Sequence, residues 1–274
     1  MATDIGPGLR ESLKGRTMSK KTVFDYQAYA GHTKHLGGVA ASEELVDLCE
    51  ISRDDEVLEV GCGVGQTAVW LVKRSGCRVI GVDNLQTMVE RAWERAERAG
   101  VRERTEFRVA DIIDLPFEDD RFDAVFGESI TVFATDHAKA IQEYVRVVKP
   151  GGLVGLNEST WLQPPTPELK AWLSQELAAN ATAHTAEEWE GLLENAGLRD
   201  LVVRTSKIDT REEALGSFRR YGCGGFLQII GRVLRLYLRN PEYRDFVRET
   251  REAGIIPKNT EEYMGYGLYV GRKP

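Results

Sequence analysis

The chain is short of cysteine, of basic excess and of long apolar runs, and each shortage removes a class of function. Its four cysteines, Cys49, Cys62, Cys77 and Cys223, are spaced like neither a zinc knuckle nor a redox pair. Four cysteines in 274 residues are also too few for a disulfide scaffold, and a reducing, cytosolic setting fits best. No stretch reaches the roughly 18 apolar residues of a membrane span. Residues 1–21 are polar and basic, without the apolar core of a secretory signal. The expectation is a cytoplasmic protein with a flexible tail over 1–20 and a single domain over 21–274. Lysine and arginine number 36 against 43 acids, a net charge of −7. Such a chain is a poor general ligand for phosphate backbones, so no nucleic-acid partner is expected.

From residue 43 onwards the chain alternates strand-like and helix-like patterns. Ser42, Glu44 and Leu45 open an amphipathic helix ending near Glu50. A strand at Glu56–Val60 leads through glycines into a helix near Gln66–Ser75, and a second strand covers Arg78–Val82. A helix at 85–99 carries Met88, Ala92 and Ala96 on one face and stops at Gly100. Strands at Glu106–Val109 and Phe122–Phe126, a helix at 136–148 and a strand at Leu153–Asn157 follow. Strands separated by helices of this length predict an α/β, doubly wound parallel sheet with ligands at the carboxyl ends of its strands.

Beyond residue 158 the rhythm changes. A helix is expected near Leu169–Asn180, and Thr185 with Glu188 forms a capping box for a helix to Asn195. A strand at Asp200–Ser206, helices over 210–253 and a last strand at Tyr263–Val270 complete the pattern. Segments 160–183 and 210–253 are expected to form a helical cap. Within the second, positions 226, 229, 230, 233, 234 and 237 share a helical face, while Arg232, Arg235 and Arg239 lie elsewhere. This basic amphipathic helix over 226–239 either packs on the main domain or makes peripheral membrane contact. Gly222 to Gly225, broken only by Cys223, is a candidate hinge.

The polar motifs fall at the predicted strand ends. Val57-Leu58-Glu59-Val60 runs into Gly61-Cys62-Gly63-Val64-Gly65. Glycines allow a sharp turn and close approach of a ligand, and the next helix offers it an amino terminus. The nicotinamide fingerprint wants its third glycine one position later, where this chain has Gln66. Asp83, followed by Asn84, ends the second strand, where an acid can accept hydrogen bonds from both ribose hydroxyls. Asp111 ends the third and could receive an adenine amino group, with Ile112 packing on the ring. Glu128 and Ser129 end the fourth; Glu128 could orient an acceptor or face a positive sulfonium.

Taken together, Glu59-x-Gly61-x-Gly63-x-Gly65, Asp83, Asp111 with Leu115-Pro116-Phe117, Phe122-Asp123 and Val148-Lys149-Pro150-Gly151-Gly152 resemble class I S-adenosylmethionine (SAM)-dependent methyltransferases. They look most like the small-molecule branch that includes ubiquinone and menaquinone biosynthesis enzymes. The resemblance covers about residues 37–158. It implies a Rossmann-like seven-stranded sheet with the last strand antiparallel. It also implies methyl transfer from SAM, leaving S-adenosylhomocysteine, to a small-molecule or lipid-like acceptor. Glu59, Gly61, Cys62, Gly63 and Gly65 would surround the methionine part, Asp83 and Asn84 the ribose, and Asp111 and Ile112 the adenine. Glu59 stands where many members have Asp. No Pro-Pro-Tyr-type motif follows the fourth strand, and no Pro-Cys pair occurs, unlike enzymes of nucleic-acid bases. A non-catalytic SAM-binding module and a nicotinamide oxidoreductase stay open as alternatives.

The catalytic group does not follow from the fold, because the sulfonium is already reactive and alignment supplies most of the rate. Residues 26–38 would fold over the SAM site, as in related enzymes. His32, His35 and Glu128 are the candidates for acid–base work, and Tyr26 or Tyr29 could stack on the donor. Oligomeric state and metal ligands are not signalled by any motif.

Overall fold

The computed structural model describes residues 23–31, 33, 35–167, 169–170, 173, 181–253 and 260–274, with only the backbone path at Val23 and over 210–215, 217–223, 226 and 249–253. The expected tail over 1–20, His32 and most of the helix expected at 169–180 lie outside the described residues.

In chain order the elements are α1 (Val23–Ala30), α2 (Gly38–Leu48), β1 (Glu56–Val60), α3 (Gln66–Ser75), β2 (Arg78–Asp83), α4 (Gln86–Ala99), β3 (Thr105–Val109), β4 (Phe122–Glu128), α5 (His137–Val147), β5 (Val148–Trp161), β6 (His184–Thr185), α6 (Ala186–Asn195), β7 (Arg199–Lys207), α7 (Thr210–Arg239), α8 (Pro241–Ala253), α9 (Thr260–Tyr263) and β8 (Met264–Arg272). The strands pair in the order β3-β2-β1-β4-β5-β8-β7, and β8 runs antiparallel to both neighbours. The seven expected strands are joined by the two-residue β6, which pairs with the end of β5.

Alternation along the strands sends successive side chains to opposite layers. Val57, Val79 and Ala124 face α2, α3 and α4 through Leu45, Leu71 and Ala92. Leu58, Ile80 and Val125 face α5 and α6 through Ile141, Tyr144, Trp189 and Leu193. Both faces of the sheet are covered, which is why its central strands are nearly continuous runs of buried residues. Gly100 ends α4 in the left-handed conformation, and the Thr185–Glu188 capping box opens α6 as its spacing predicts.

Three expectations need correction. First, α2 starts at Gly38, earlier than Ser42, because Gly37 takes the left-handed turn at its N-cap. Second, β5 spans Val148–Trp161. The strand expected at Leu153–Asn157 begins before Pro150-Gly151-Gly152: it pairs Phe122 with Val148, bulges, and resumes with Ala124 opposite Leu153; Gly151 has a positive φ of 81° in that bulge. Third, α7 runs unbroken through Gly222 to Gly225. Its packed side holds Ile229, Arg232 and Leu236, while Leu227, Ile230, Leu234, Tyr237 and Leu238 are exposed. The apolar face read from the sequence therefore points largely outward. Polar Arg232 turns inward because it donates to the Ala30 carbonyl at the end of α1. Among the described residues no helix is long and apolar enough to cross a membrane.

β1 lies between β2 on one side and β4 on the other. This is the point where strand order reverses and a crevice opens at the carboxyl ends.

Candidate active site

On the β1–β2 side the site is built mainly from backbone. Gly61, Gly63 and Gly65 have φ of 65°, 51° and 69°, values that side chains resist. Space imposes a second demand. A Cβ on Gly61 would stand 2.4 Å from Ile130 Cγ1, and one on Gly63 2.7 Å from Thr33 Cγ2. Gly65 is the N-cap of α3 and offers no side-chain cap. The first N–H groups of that helix therefore present positive charge to whatever sits above the loop.

Asp83, almost fully buried at the end of β2, braces this turn. Its Oδ2 accepts from Gly63 N at 2.9 Å and its Oδ1 from Leu85 N at 3.0 Å. Burial pushes its carboxyl up, and the N–H groups of Leu85, Gly63 and Asn84 pull the other way. Beyond these N–H groups the carboxylate keeps acceptor capacity for a ribose hydroxyl. Glu59 is buried within β1 beside the loop, and the buried Cys62 has its thiol pushed well above the ordinary range, chiefly by desolvation. Asn84 and Asp111 are exposed and Ile112 is buried. Asp111 Oδ1 accepts from Ile113 N at 3.1 Å, which turns the chain just past β3 and sets Ile112 inward.

On the β4–β5 side the site is built from side chains. Glu128, at the end of β4, accepts from Ser42 Oγ at 2.7 Å and from Thr67 Oγ1 at 2.9 Å. His35 Nδ1 stands 3.2 Å from Glu128 Oε2, and both side chains are largely shielded. Ser129, at φ 53°, accepts from Leu36 N through its hydroxyl, and Asn157 Nδ2 donates to Leu36 O. Both backbone groups of Leu36 are thus tied to the ends of β4 and β5. These ties hold His35 against Glu128. Behind them, Glu158 is fully buried and receives N–H groups of Ile130, Thr131 and Val132. It fixes the turn after β4.

α1 covers the crevice. Ala28 packs with Val64 and Met88, with Phe24 and Leu85 against them, and Phe24 meets Phe133 edge-on at 5.1 Å.

Comparison with known proteins matches this geometry. A family model described as a methyltransferase domain, Methyltransf_11, matches residues 58–156, the span from β1 into β5. An uncharacterized protein of Haemophilus influenzae is 30% identical over 80% of this chain and 88% of its own length. Methyltransferase GfsG of Streptomyces halstedii is 29% identical over 64% of this chain and 63% of its own, and sterol 24-C-methyltransferase erg6 of Aspergillus fumigatus is 37% identical over 50% and 33%. The chain thus spans under two thirds of the last two. The chain belongs to the class I SAM-dependent methyltransferases. Among solved structures, the [4+2]-cyclase SpnF superposes with a TM-score of 0.71 at 21% identity over 91% of this chain and 92% of that one. A SAM-dependent methyltransferase from Geobacter sulfurreducens in complex with S-adenosyl-L-homocysteine gives 0.68 at 22% identity over 94% and 100%. At such identities the likeness speaks for the fold.

SAM is the methyl donor of this methyltransferase. The residues fit it: the glycine turn holds a positive-φ backbone with no side chains of its own toward a ligand, the α3 amino terminus suits a carboxylate, and Asp83 suits hydroxyl donors. Two expectations fare differently. Tyr29 is 40% exposed and borders a surface cleft with Asp25, Thr87, Glu90 and Arg91. Helical spacing turns Phe24 and Ala28, rather than Tyr29, to Val64 of the glycine loop. Tyr26 is engaged with Tyr243 and Phe246, ring centroids 4.8 and 4.6 Å away. Ser42, Thr67 and Asn157 were not singled out by the sequence. Their signal was a polar residue at a buried position, Ser42 one turn before Leu45 and Val46, and Asn157 closing the apolar run Leu153–Leu156.

Proposed function

We propose that this methyltransferase acts on a small apolar or lipid-like acceptor, and that His35, held by Glu128, takes up the proton the acceptor releases. The observation that carries this reading is the His35–Glu128 contact at the end of β4. Bound SAM supplies a methyl on a sulfonium that is already electrophilic. The protein must add alignment and, for an O–H or N–H acceptor, a place for the proton. Glu128 is steadied by two hydroxyl donors and lies 3.2 Å from His35 Nδ1, while His35 Nε2 lies 3.5 Å from Ser42 Oγ; an acceptor that displaces this Ser42 contact would meet the Nε2 lone pair. Glu59, Asp83, Asn84, Asp111 and Ile112 are assigned to the donor.

The acceptor class is supported by a cavity of about 510 Å³ beside the end of β5, where Trp161, Leu173, Ala181 and Ala183 form an apolar part and Lys170, His184 and Glu188 a polar one. It is supported as well by a relative named for sterol methylation. The exposed stripe Leu227, Ile230, Leu234 and Leu238 on α7, flanked by Arg235 and Arg239, suits contact with an anionic lipid surface. The test is incubation of the protein and SAM labelled on its methyl group with a cell extract, followed by fractionation. Label in lipid or apolar small molecules is expected. Label only in polar metabolites would overturn the acceptor class. Unchanged turnover in His35→Ala would overturn the base assignment.

A further inference from the structure

A second, separate feature of the molecule is a cleft in which cations gather without acids. It has a volume of about 370 Å³ and lies between α3, α4 and the inner side of α7. Lys73, Arg95, Arg98, Gln228, Ile229 and Arg232 line it, and among the described residues no Asp or Glu does. The nearest acids on α4 are engaged elsewhere: Glu94 pairs with Arg91 at 2.8 Å and Glu97 with Arg102 at 3.4 Å. α7 carries no acid between residues 217 and 241. Lys73, Arg98 and Arg232 make no ion pair with any described residue.

Arg95 forms one wall. Its Nε donates to Val64 O at 2.9 Å and its terminal nitrogen to Gly31 O at 3.0 Å. Arg98 gives one bond, from Nε to Glu94 O, and Arg232 reaches Ala30 O at 3.4 Å. Both guanidinium groups therefore keep most of their N–H donors for other partners. Four like charges around one concavity repel each other, and an anion between them converts that repulsion into attraction. Guanidinium forks and an ammonium group match the tetrahedral oxygens of a phosphate and give charge-assisted hydrogen bonds to it.

We infer that this cleft binds a phosphate-bearing anion, at a place distinct from the methyl-transfer site. The phosphate belongs either to a soluble phosphate ester or diphosphate or to the headgroup of an anionic phospholipid.

The full chain is titrated calorimetrically with inorganic pyrophosphate at fixed ionic strength, with sodium chloride as control. In parallel it is sedimented with phosphatidylcholine vesicles, with and without phosphatidic acid. The same measurements are made on Lys73→Gln/Arg98→Gln and, from a different element, on Arg232→Gln, each checked for unchanged SAM binding. Pyrophosphate binding that weakens about tenfold or more in the variants is expected, the effect of losing charge-assisted bonds. Vesicle binding that needs phosphatidic acid and falls in the same variants, without pyrophosphate binding, supports the site with a lipid headgroup as its source. Binding of neither probe, or binding equal in wild type and variants, overturns the proposal. The Arg232→Gln result decides should the double variant fold poorly.

Discussion

The two sides of the crevice are made of different material. On the β1–β2 side, recognition rests on main-chain shape: three glycines at positive φ, a helix amino terminus and one aspartate bracing the turn. On the β4–β5 side it rests on side chains brought from far apart, with Ser42 and Glu128 86 positions apart and Leu36 and Asn157 121 apart. A backbone-built site is rigid and tolerates little change within a short segment. A side-chain site is open to variation at each of several elements, which suits a family whose donor is constant and whose acceptors differ.

The sharpest way to break this comparison is to alter the donor side alone. Gly63→Val forces a β-branched residue to a positive φ and into Thr33, a strain of about 1–3 kcal/mol before any contact with ligand. SAM affinity, measured calorimetrically, is expected to fall beyond detection while circular dichroism still reports a folded chain. Asp83→Ala is expected to do the same by removing the acceptor for Gly63 N and Leu85 N.

The acceptor side should respond in rate instead. His35→Ala is expected to lower kcat by about 10²- to 10⁴-fold, the usual scale for a general base, with SAM affinity unchanged. Glu128→Gln is expected to give a smaller loss together with a displaced pH profile for kcat. If His35→Ala weakens SAM binding as much as Gly63→Val does, the two sides are not separable and the comparison fails.

A subtler difference lies in pH. Burial pushes Glu158, beneath the turn after β4, up to about 7, against the three N–H groups it receives. A folded state that favours the acid form gains stability from this residue below its ordinary value of 4.5, and loses it as pH rises to about 7. His137 and His184 run the opposite way. Their rings meet at 2.7 Å beside Trp189, and burial holds both below 6.5. Their neutral forms are favoured, so their contribution is full above pH 6.5 and is lost as pH falls below it. Denaturant unfolding across pH 4.5–8 should therefore show Glu158→Gln flattening the rise-side loss and His184→Asn flattening the acid-side loss.

The smallest effect is expected on the outer side of α7. Leu234→Ser with Leu238→Ser should change stability by less than about 0.5 kcal/mol, because both side chains are exposed. Sedimentation with anionic vesicles is the measurement that should move, downward.

Much of the parallel sheet was legible in the sequence. β1 and α3 keep the bounds that periodicity predicts, α4 differs by one residue, and the capping box opens α6 where it was read. Local signals, meaning period, glycine and caps, were enough there because each element buries one clear face. They misled on the extent of β5, which starts before the Pro150-Gly151-Gly152 bulge, and on α7, where the face toward the body includes Arg232. They also did not show which face of α1 packs toward the glycine turn: Phe24 and Ala28 do, while Tyr29 is 40% exposed.

By itself the sequence determined the glycine turn after β1, the acids at the strand ends and the switch point between β1 and β4, because each follows from residues adjacent in the chain. Only the tertiary structure decided that His35 meets Glu128, that Ser42 and Thr67 steady it, and that Lys73, Arg95, Arg98 and Arg232 share one cleft. Those residues come from several elements distant in the chain, and only packing of the helices on the sheet brings them together.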